Sequence, residues 1–453
     1  MHIASGAFFF ESIMKVLKFG GTSVGSVARM RQLIPIILQD TEVVVVLSAM
    51  SGTTNALVSI ADQLYKANVA EAKQEIAALK NNYNQVVNEL AENGNKAFAE
   101  VVSLAFSTIE QMPNKLFTKA DEKLLLAQGE LLSTGLFYQL LKQENIEANW
   151  LPALSFMKIN ELEEPNMVAI EEAVKPMLQE NPKKLHITQG FICLNHRNEV
   201  DNLRRGGSDY TASIIGSAID AAVVEIWTDI SGFHNNDPRV VENTVSLEEL
   251  AFEEAAELAY FGAKILHPSS VLPARKKNIP VLLKNTLEPS HPGTKIHGNA
   301  TYSGVRAIAA KDGITMINIR SGRMLLAYGF LRKVFEIFEQ YKTPIDMITT
   351  SEVAVSLTID NDEFLADIHR ELSDFGEITV VKNQCIVAIV GQIEADNAGV
   401  ASQIFTALKE VPVHMISYGG SKFNISVLID EANKNKALND LSTHLLNPAN
   451  HVA

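Results

Sequence analysis

Residues 16–25, Val-Leu-Lys-Phe-Gly-Gly-Thr-Ser-Val-Gly, constrain the fold more than any other stretch. A short apolar run predicts a strand that leads through Lys18 into a glycine pair, two hydroxyls and a third glycine, and residues 27–38 have helical apolar spacing. Glycines let the backbone approach a ligand, and N–H groups at a helix start favour an anion. A P-loop places its lysine after the glycines, so a different kind of phosphate-binding loop is predicted here. Taken alone, such a turn is more often a packing feature.

Strand and helix patterns alternate through the first 280 residues or so. Apolar, strand-like runs occur at 42–47, 150–154, 185–190 and 222–228, and helical patterns fill most of 56–145 and 210–219. This alternation predicts an α/β fold whose central, mostly parallel sheet is covered by helices on both faces. Ligands of such sheets bind at the carboxyl ends of the strands, which is where the polar clusters of this sequence fall.

Composition narrows the class of protein. The chain has 453 residues, 47% of them hydrophobic, and no apolar run long enough to span a bilayer, so two or three soluble domains and no membrane partner are expected. A net charge of −14 argues against nucleic acid as a partner. Cys193 and Cys385 show no metal or disulfide spacing, which suits the cytoplasm. Residues 1–13 are interpreted as an extension from an upstream start and are assigned no function.

Three further polar clusters follow along the chain. Arg205 offers a planar fork for a carboxylate or phosphate, whereas Ser208 and Asp209 beside it fit a helix cap as well as a ligand site. His234 is a candidate ligand residue or an ordinary surface histidine. Lys264 follows a helical pattern, where a lysine usually complements the helix dipole. The clusters are Leu-Arg-Arg-Gly-Gly-Ser-Asp-Tyr-Thr-Ala (203–212), Trp-Thr-Asp-Ile-Ser-Gly-Phe-His-Asn-Asn-Asp-Pro-Arg (227–239) and Phe-Gly-Ala-Lys-Ile-Leu-His-Pro (261–268).

Together with Gly129-Glu130, these stretches resemble the aspartokinases of the amino-acid kinase family. The motifs Lys-Phe-Gly-Gly-Thr-Ser, Arg-Gly-Gly-Ser-Asp, Thr-Asp-x-x-Gly and Gly-Ala-Lys-x-Leu-His-Pro occur in the family's order over nearly the whole chain after Met14. Two positions depart from the family pattern. Arg204 stands where the family more often has glycine, and His234 stands where it often has tyrosine.

The resemblance implies an ATP-dependent aspartate kinase, which makes 4-phospho-L-aspartate in the first step of lysine, threonine and methionine biosynthesis. The acceptor carboxylate is already ionised, so the site needs alignment and positive charge rather than a general base. Mg²⁺ would accompany ATP and bind phosphate oxygens and water, with no protein ligand assigned. The implied roles are phosphoryl transfer for Lys18, Asp209 and Lys264; aspartate binding for Ser48, Thr54, Glu130, Arg205 and Ser208; and nucleotide binding for Lys18, Gly20, Gly21, Thr22, Ser23, Thr228, Asp229, His234, Arg239 and Lys264.

An internal repeat occupies the last third of the chain. Pro-Ile-Asp-Met-Ile (344–348) recurs as Pro-Val-His-Met-Ile (412–416), and matching helix and strand patterns flank both copies. Each unit is interpreted as strand-helix-strand-strand-helix-strand and resembles an ACT regulatory domain. The expected domains are a kinase domain (14–278), a linker (279–310) carrying the first strand of the second ACT module at Val281 to Asn285, a first ACT module (311–384) and a second (385–453).

The first module resembles those of lysine-sensitive aspartokinases, so lysine is the expected effector. Asp346 and Glu352 suit ammonium groups, and His414 and Gly420 replace them in the second copy, which is expected to bind the effector poorly. A homo-oligomer, a dimer or a dimer of dimers joined through the modules, is expected. The implied effector-binding residues are Met324, Phe330, Leu331, Ile345, Asp346, Ser351 and Glu352.

Three other interpretations compete with this one. The chain could be another amino-acid kinase acting on glutamate, carbamate or a nucleotide, which the paired modules and Glu130 disfavour. It could be an amino-acid-sensing protein with an inactive kinase domain, which the presence of Lys18, Arg205, Asp209 and Lys264 disfavours. The repeated modules could also serve only for dimerisation.

Overall fold

The computed structural model describes residues 14–40, 42–91, 96–180, 183–203, 206–262, 266–300, 304–322, 328–393 and 399–446. These residues form two compact units. The first takes 14–233, 248–252 and 266–300, and the second takes 234–247, 253–262 and 304–446. In the part of the chain so described, no helix is both long enough and apolar enough to cross a membrane.

Helices and strands are numbered in chain order. The helices are α1 (Val27–Ile37), α2 (Thr53–Tyr65), α3 (Val69–Leu90), α4 (Ala97–Ile109), α5 (Lys119–Gln143), α6 (Met167–Glu180), α7 (Gly207–Ala218), α8 (Phe252–Phe261), α9 (Leu272–Lys276), α10 (Phe330–Gln340), α11 (Leu365–Leu372), α12 (Val400–Ala407) and α13 (Lys434–Leu445). The strands are β1 (Lys15–Phe19), β2 (Val43–Leu47), β3 (Asn149–Trp150), β4 (Leu185–Gln189), β5 (Ile192–Leu194), β6 (Val200–Asn202), β7 (Val223–Thr228), β8 (Glu249–Leu250), β9 (Val281–Asn285), β10 (Thr294–Ile296), β11 (Gly304–Arg320), β12 (Ile348–Thr350), β13 (Ala354–Ile359), β14 (Glu377–Gln392), β15 (Met415–Ser417) and β16 (Asn424–Asp430).

An eight-stranded sheet in the order β3-β4-β2-β1-β7-β9-β10-β8 organises the first unit. Neighbouring strands run parallel except β9 and β10, which run antiparallel. β2 is buried along its whole length, as expected for a parallel strand covered on both faces. Leu17 and Phe19 pack into a core shared with α1 to α5. On the opposite face, Gly216 of α7 lies close to the side chain of Val224 in β7. The predicted α/β fold is confirmed.

A six-stranded antiparallel sheet in the order β12-β13-β11-β14-β16-β15 organises the second unit. β11 and β14 are long enough to serve both copies of the repeat. The second half of β11 pairs with β13, while its first half pairs with the part of β14 that also binds β16. α10 and α11 cover one hydrophobic core of this unit, and α12 and α13 cover the other.

The predicted position of one strand is wrong. Val281–Asn285 was expected to open the second ACT-like module, but it forms β9 of the parallel sheet, between β7 and β10. The strand that precedes the first module and completes the second is the beginning of β11, where Gly304 faces Gln392. A five-residue run with alternating burial fits either sheet, so its sequence does not identify its partners. The beginning of β11 thus takes the place that was predicted for Val281–Asn285.

Replacing Leu17 by alanine tests the central position of β1. The Leu17 side chain is fully buried between the two neighbouring strands and the helices above them. Leu17→Ala should lower the free energy of unfolding by about 2–5 kcal/mol, since it removes buried apolar surface and leaves a cavity. Urea unfolding followed by circular dichroism measures this loss. Leu104→Ala is the matched control, because Leu104 in α4 is 75% exposed, and it should change stability by less than about 0.5 kcal/mol.

Candidate active site

A buried ion pair lies at the carboxyl end of β1. The Lys18 ammonium is 2.6 Å from Oδ1 of Asp209, and the two side chains are only 11% and 12% exposed. β1 fixes Lys18 between β2 and β7, whereas Asp209 lies in the first turn of α7. The N-terminal end of a helix favours a carboxylate at this position. In the sequence, only the family resemblance assigned Lys18 and Asp209 to the same site. The structure brings them into contact although 191 positions of the chain separate them.

The glycines after β1 allow close packing of two strand-end loops. The Gly20 N–H donates to the carbonyl of Trp227, and the Ser51 N–H donates to the carbonyl of Gly21. A Cβ atom at Gly21 would lie 2.8 Å from the Ala49 carbonyl oxygen, too close for any other residue. The Lys-Phe-Gly-Gly loop therefore lies directly against the loop that follows β2.

Ser208 approaches the end of β4. A Cβ atom at Gly190 would lie 2.6 Å from the Ser208 hydroxyl oxygen, so a glycine there makes room for the serine. Gly206, immediately before α7, has φ of 72°, a conformation that glycine adopts without strain. Arg204 and Arg205 lie outside the described residues, so the predicted carboxylate fork stays a prediction.

Glu130 is a buried acid beside the loop that follows β2. It lies on α5, 5% exposed, and accepts the Ala49 N–H at 3.2 Å. Burial raises the pKa of Glu130 to about 8, although the Ala49 N–H and the positive charge of Lys18 oppose the shift. Ser133, one turn further along α5, donates to the Ser48 carbonyl at 2.6 Å. Ser48 and Glu130 are therefore brought together, whereas Thr54 is exposed on α2.

The glycine-rich loop also joins the end of β7. Ser23 shares a 2.6 Å hydrogen bond with Thr286, whose hydroxyl lies 2.7 Å from the Thr228 carbonyl. The Thr228 hydroxyl donates to Asp229. A small pocket is lined by Thr22, Ser23, Arg29, Gln32, Asp229, Thr286 and Leu287. Sequence reasoning missed Arg29 and Thr286, because neither lies in a recognisable motif.

The other predicted nucleotide residues belong to the second unit or lie outside the described chain. His234 Nδ1 is 3.3 Å from the Thr244 hydroxyl. The Arg239 side chain is 84% exposed, and its guanidinium group donates two hydrogen bonds to the Asp237 carboxylate, at 2.9 Å to Oδ1 and 2.7 Å to Oδ2. Lys264 falls outside the described residues. The nucleotide roles of all three stay predictions.

Asp346 is the most constrained of the predicted effector residues. Its side chain is fully buried; Oδ1 accepts the Tyr260 hydroxyl at 2.5 Å and is 2.8 Å from the Lys311 ammonium. Lys311 also pairs with Asp360 at 2.8 Å. Burial, followed by the hydrogen bond to Asp346, raises the pKa of Tyr260. Nothing in the sequence marked Tyr260 or Lys311 as partners of this carboxylate.

The remaining effector candidates have varied surroundings. Phe330 is buried at the start of α10, and Ile345 packs against the core of the first module. Met324 lies outside the described residues. The other three, Leu331, Ser351 and Glu352, are exposed.

Comparisons with known proteins agree with this arrangement. The amino acid kinase family model matches residues 14–285, and an ACT domain model matches residues 387–445. Lysine-sensitive aspartokinase 3 of Escherichia coli (strain K12) is 35% identical over 457 residues, covering 95% of this chain and 98% of the relative. This chain belongs to the aspartokinases.

Solved structures extend the comparison to the fold of this aspartokinase. The crystal structure of E. coli aspartokinase III in complex with aspartate and ADP (R-state) has a TM-score of 0.83 and 33% identity, covering 96% of this chain and all of that one. The structure of the same protein in complex with lysine and aspartate (T-state) has a TM-score of 0.82 and 33% identity, with the same coverage. The predicted family, fold class and type of enzyme are thereby confirmed.

Removing the charge of Lys18 tests the ion pair. Lys18→Met should lower kcat by a factor of roughly 10² to 10³, because one preorganised electrostatic donor is lost. Steady-state kinetics measures the change. Lys15→Met is the matched control from the same strand, since Lys15 pairs with Asp40 and Glu225 instead. A folded Lys18→Met enzyme that keeps more than half of its turnover would show that this lysine is structural.

Proposed function

We propose that this aspartokinase transfers the γ-phosphoryl group of ATP to the side-chain carboxylate of L-aspartate and so forms 4-phospho-L-aspartate. The buried Lys18–Asp209 pair beside the glycine-rich loop carries the proposal. A lysine that an acid holds in place beside a glycine-rich loop suits the charge that spreads over a moving phosphoryl group.

The reaction needs little covalent chemistry from the protein. The attacking carboxylate is ionised at neutral pH, so no residue has to remove a proton. Lys18 supplies positive charge towards the phosphoryl group, Asp209 fixes the direction of the Lys18 side chain, and Lys264 adds a second positive charge. Mg²⁺ accompanying ATP would bind phosphate oxygens and water rather than a side chain assigned here, and would neutralise part of the phosphate charge.

Aspartate recognition falls to the residues around the loop after β2. Glu130 pairs with the substrate ammonium, Arg205 pairs with a substrate carboxylate, and Ser48, Thr54 and Ser208 donate hydroxyl hydrogen bonds. The buried position of Glu130 supports this role, because a carboxylate out of water gains more from an ammonium than an exposed one does.

The raised pKa of Glu130 predicts how aspartate binding changes with pH. An ammonium ligand favours the ionised acid, so aspartate should bind more tightly as the pH rises towards about 8. Between pH 6.5 and 8 the KM for aspartate should fall roughly tenfold, since the fraction of ionised Glu130 grows by about that factor. Initial rates at each pH measure this effect. Glu130→Gln should raise the KM and remove its pH dependence, and a wild-type KM that is flat over this range would contradict the assignment.

The same raised pKa affects stability without substrate. Between pH 4.5 and 8 the unfolded chain loses the Glu130 proton while the folded chain keeps it. Stability contributed by this group therefore falls as the pH rises through that range. Glu130→Gln should remove this part of the pH dependence of unfolding.

Feedback inhibition by lysine is the proposed regulation. The E. coli relative is named lysine-sensitive, and its crystal structures include a lysine complex described as T-state and an ADP complex described as R-state. We propose that lysine binds the first ACT module, with Met324, Phe330 and Ile345 covering its stem and Asp346 and Glu352 its ammonium groups. Inhibition requires that the enzyme has an active and an inactive state and that lysine binds the inactive state more tightly. In a homo-oligomer joined through the modules, two different packings of the modules between subunits would be these two states.

Glu352→Ala tests the effector assignment. Glu352 is exposed and lies outside the catalytic unit, so activity without lysine should stay near normal. The lysine concentration needed for half inhibition should rise about tenfold or more, because one ammonium loses its charged partner. Glu363→Ala, another exposed glutamate of this module, is the control and should leave inhibition unchanged. A wild-type enzyme that ignores lysine and responds to threonine would contradict the lysine assignment alone.

A substrate panel distinguishes the proposed reaction from its rivals. ADP release should require aspartate and should be slow or absent with glutamate or carbamate. Equal turnover of another acceptor would assign the chain to a different reaction of the amino-acid kinase family. No acceptor-dependent ADP release, together with lysine binding, would make the protein an amino-acid sensor.

The cytoplasmic location expected from the sequence stays a prediction.

A further inference from the structure

Two side chains of one helix hold the peptide unit between Ser48 and Ala49. The Ser133 hydroxyl of α5 donates to the Ser48 carbonyl at 2.6 Å, and the Ala49 N–H donates to Oε1 of Glu130 at 3.2 Å. Ser133 follows Glu130 by three positions, so the two side chains are neighbours on the surface of α5. Both polar groups of this peptide unit are therefore bound to the same helix.

The Ser133 hydroxyl has a second acceptor within its own helix. A serine inside a helix often donates to a carbonyl of the preceding turn. Here the Glu130 carbonyl is 3.3 Å from the Ser133 hydroxyl oxygen, whereas the Ser48 carbonyl is 2.6 Å away. The shorter distance assigns the main hydrogen bond of Ser133, whose side chain is fully buried, to the loop that follows β2.

A glycine lets α5 approach this loop closely. A Cβ atom at Gly129 would lie 2.9 Å from the Ala49 Cβ atom, closer than real Cβ contacts. A larger residue at this position would push the helix and the loop apart and would lengthen both hydrogen bonds. The contact of α5 with the Ser48–Ala49 peptide is therefore built into the packing of the two elements.

The rest of the loop is held by elements other than α5. The Ser48 N–H donates to the Phe19 carbonyl at 3.2 Å, and the Ser51 N–H donates to the Gly21 carbonyl at 3.0 Å. At the end of the loop, the Thr53 and Tyr83 hydroxyls are 2.8 Å apart. Loss of the Ser133 hydroxyl would leave these contacts in place, so the course of the loop would be kept while the Ser48–Ala49 peptide could rotate.

The planarity of the peptide bond connects Ser133 to Glu130. The C=O and N–H groups of a trans peptide lie in one plane, so a donor that fixes the Ser48 carbonyl also fixes the direction of the Ala49 N–H. That N–H in turn holds Oε1 of Glu130. A carboxylate has two oxygen atoms, which leaves Oε2 of Glu130 to accept from a ligand.

We propose that Ser133 is a positioning residue for aspartate: by holding the Ser48 carbonyl it directs the Ala49 N–H at Glu130 and so fixes the carboxylate that receives the substrate ammonium. The proposal rests on the proposed role of Glu130 in aspartate binding. A carboxylate that is already fixed loses little side-chain freedom when the ammonium binds, so its affinity for the ammonium is higher.

Steady-state kinetics of Ser133→Ala tests this role. The KM for aspartate should rise about tenfold, the scale of one lost hydrogen bond. The kcat and the KM for ATP should stay within about twofold, because substrate binding is weakened while the Lys18–Asp209 pair is kept. Thr134→Val is the matched control and should bind aspartate normally. Thr134 is the next residue of α5 and equally buried, and its hydroxyl has no hydrogen-bond partner among the described residues.

A double-mutant cycle with Glu130→Gln separates positioning from a general structural role. Glutamine keeps an oxygen that can accept the Ala49 N–H but lacks the charge that pairs with an ammonium. Glu130→Gln alone should raise the KM for aspartate. Adding Ser133→Ala should then raise it less than about threefold, because two residues that act through one group are not additive, whereas a purely structural serine would have its full effect in both backgrounds.

Each outcome of these measurements supports or overturns the proposal. An aspartate KM of Ser133→Ala equal to that of the wild type, an equal rise for ATP, or the full rise in the Glu130→Gln background would overturn it while the proposed reaction stands. Unchanged aspartate binding in Glu130→Gln, or a wild type without aspartate-dependent turnover, would overturn the proposed function as well. Should Ser133→Ala fail to fold by circular dichroism, Ser133→Cys replaces it, because a thiol donates only weakly.

Discussion

The ion pair between Lys18 and Asp209 is the interaction on which the catalytic unit depends. Each charge is largely out of water, so either residue without the other would leave a costly buried charge. The pair forms only if β1 runs between β2 and β7 and if α7 begins beside the end of the sheet. Two glycines near the pair permit the close packing that this arrangement needs. A Cβ atom at Gly21 would collide with the Ala49 carbonyl oxygen, and one at Gly190 would collide with the Ser208 side chain. The same residues therefore serve both the packing of the catalytic unit and the placement of the Lys18 charge.

Much of the catalytic unit could be predicted because its signals are local. A parallel strand covered on both faces has a continuous apolar sequence, as in β2, and the glycine-rich loop after β1 has a distinct composition. The repeat was equally visible, since two copies of one pattern bury equivalent faces in the two cores of the second unit. The apolar strand and the glycine-rich loop each lie within about twenty consecutive residues, and the repeat shows itself by comparing two stretches of the same chain.

The features that escaped prediction depend on contacts distant in the chain. β9 has the alternating burial of any half-exposed strand, and only its pairing with β7 assigns it to the parallel sheet. The sequence predicted Asp346 as a partner for an effector ammonium. In the structure the Asp346 carboxylate already accepts hydrogen bonds from Tyr260 and Lys311, which lie 86 and 35 positions earlier in the chain. The high pKa of Glu130 likewise arises from burial by distant elements rather than from its neighbours in the sequence.

Trapping the product with hydroxylamine tests the central claim most directly, because an acyl phosphate reacts with hydroxylamine and an ordinary phosphate ester does not. With wild-type protein, ATP, Mg²⁺ and aspartate, aspartyl hydroxamate should form in step with ADP, and omitting aspartate should abolish both. ADP release in the presence of aspartate without any hydroxamate would contradict transfer to the carboxylate, and with it the role given to the Lys18–Asp209 pair.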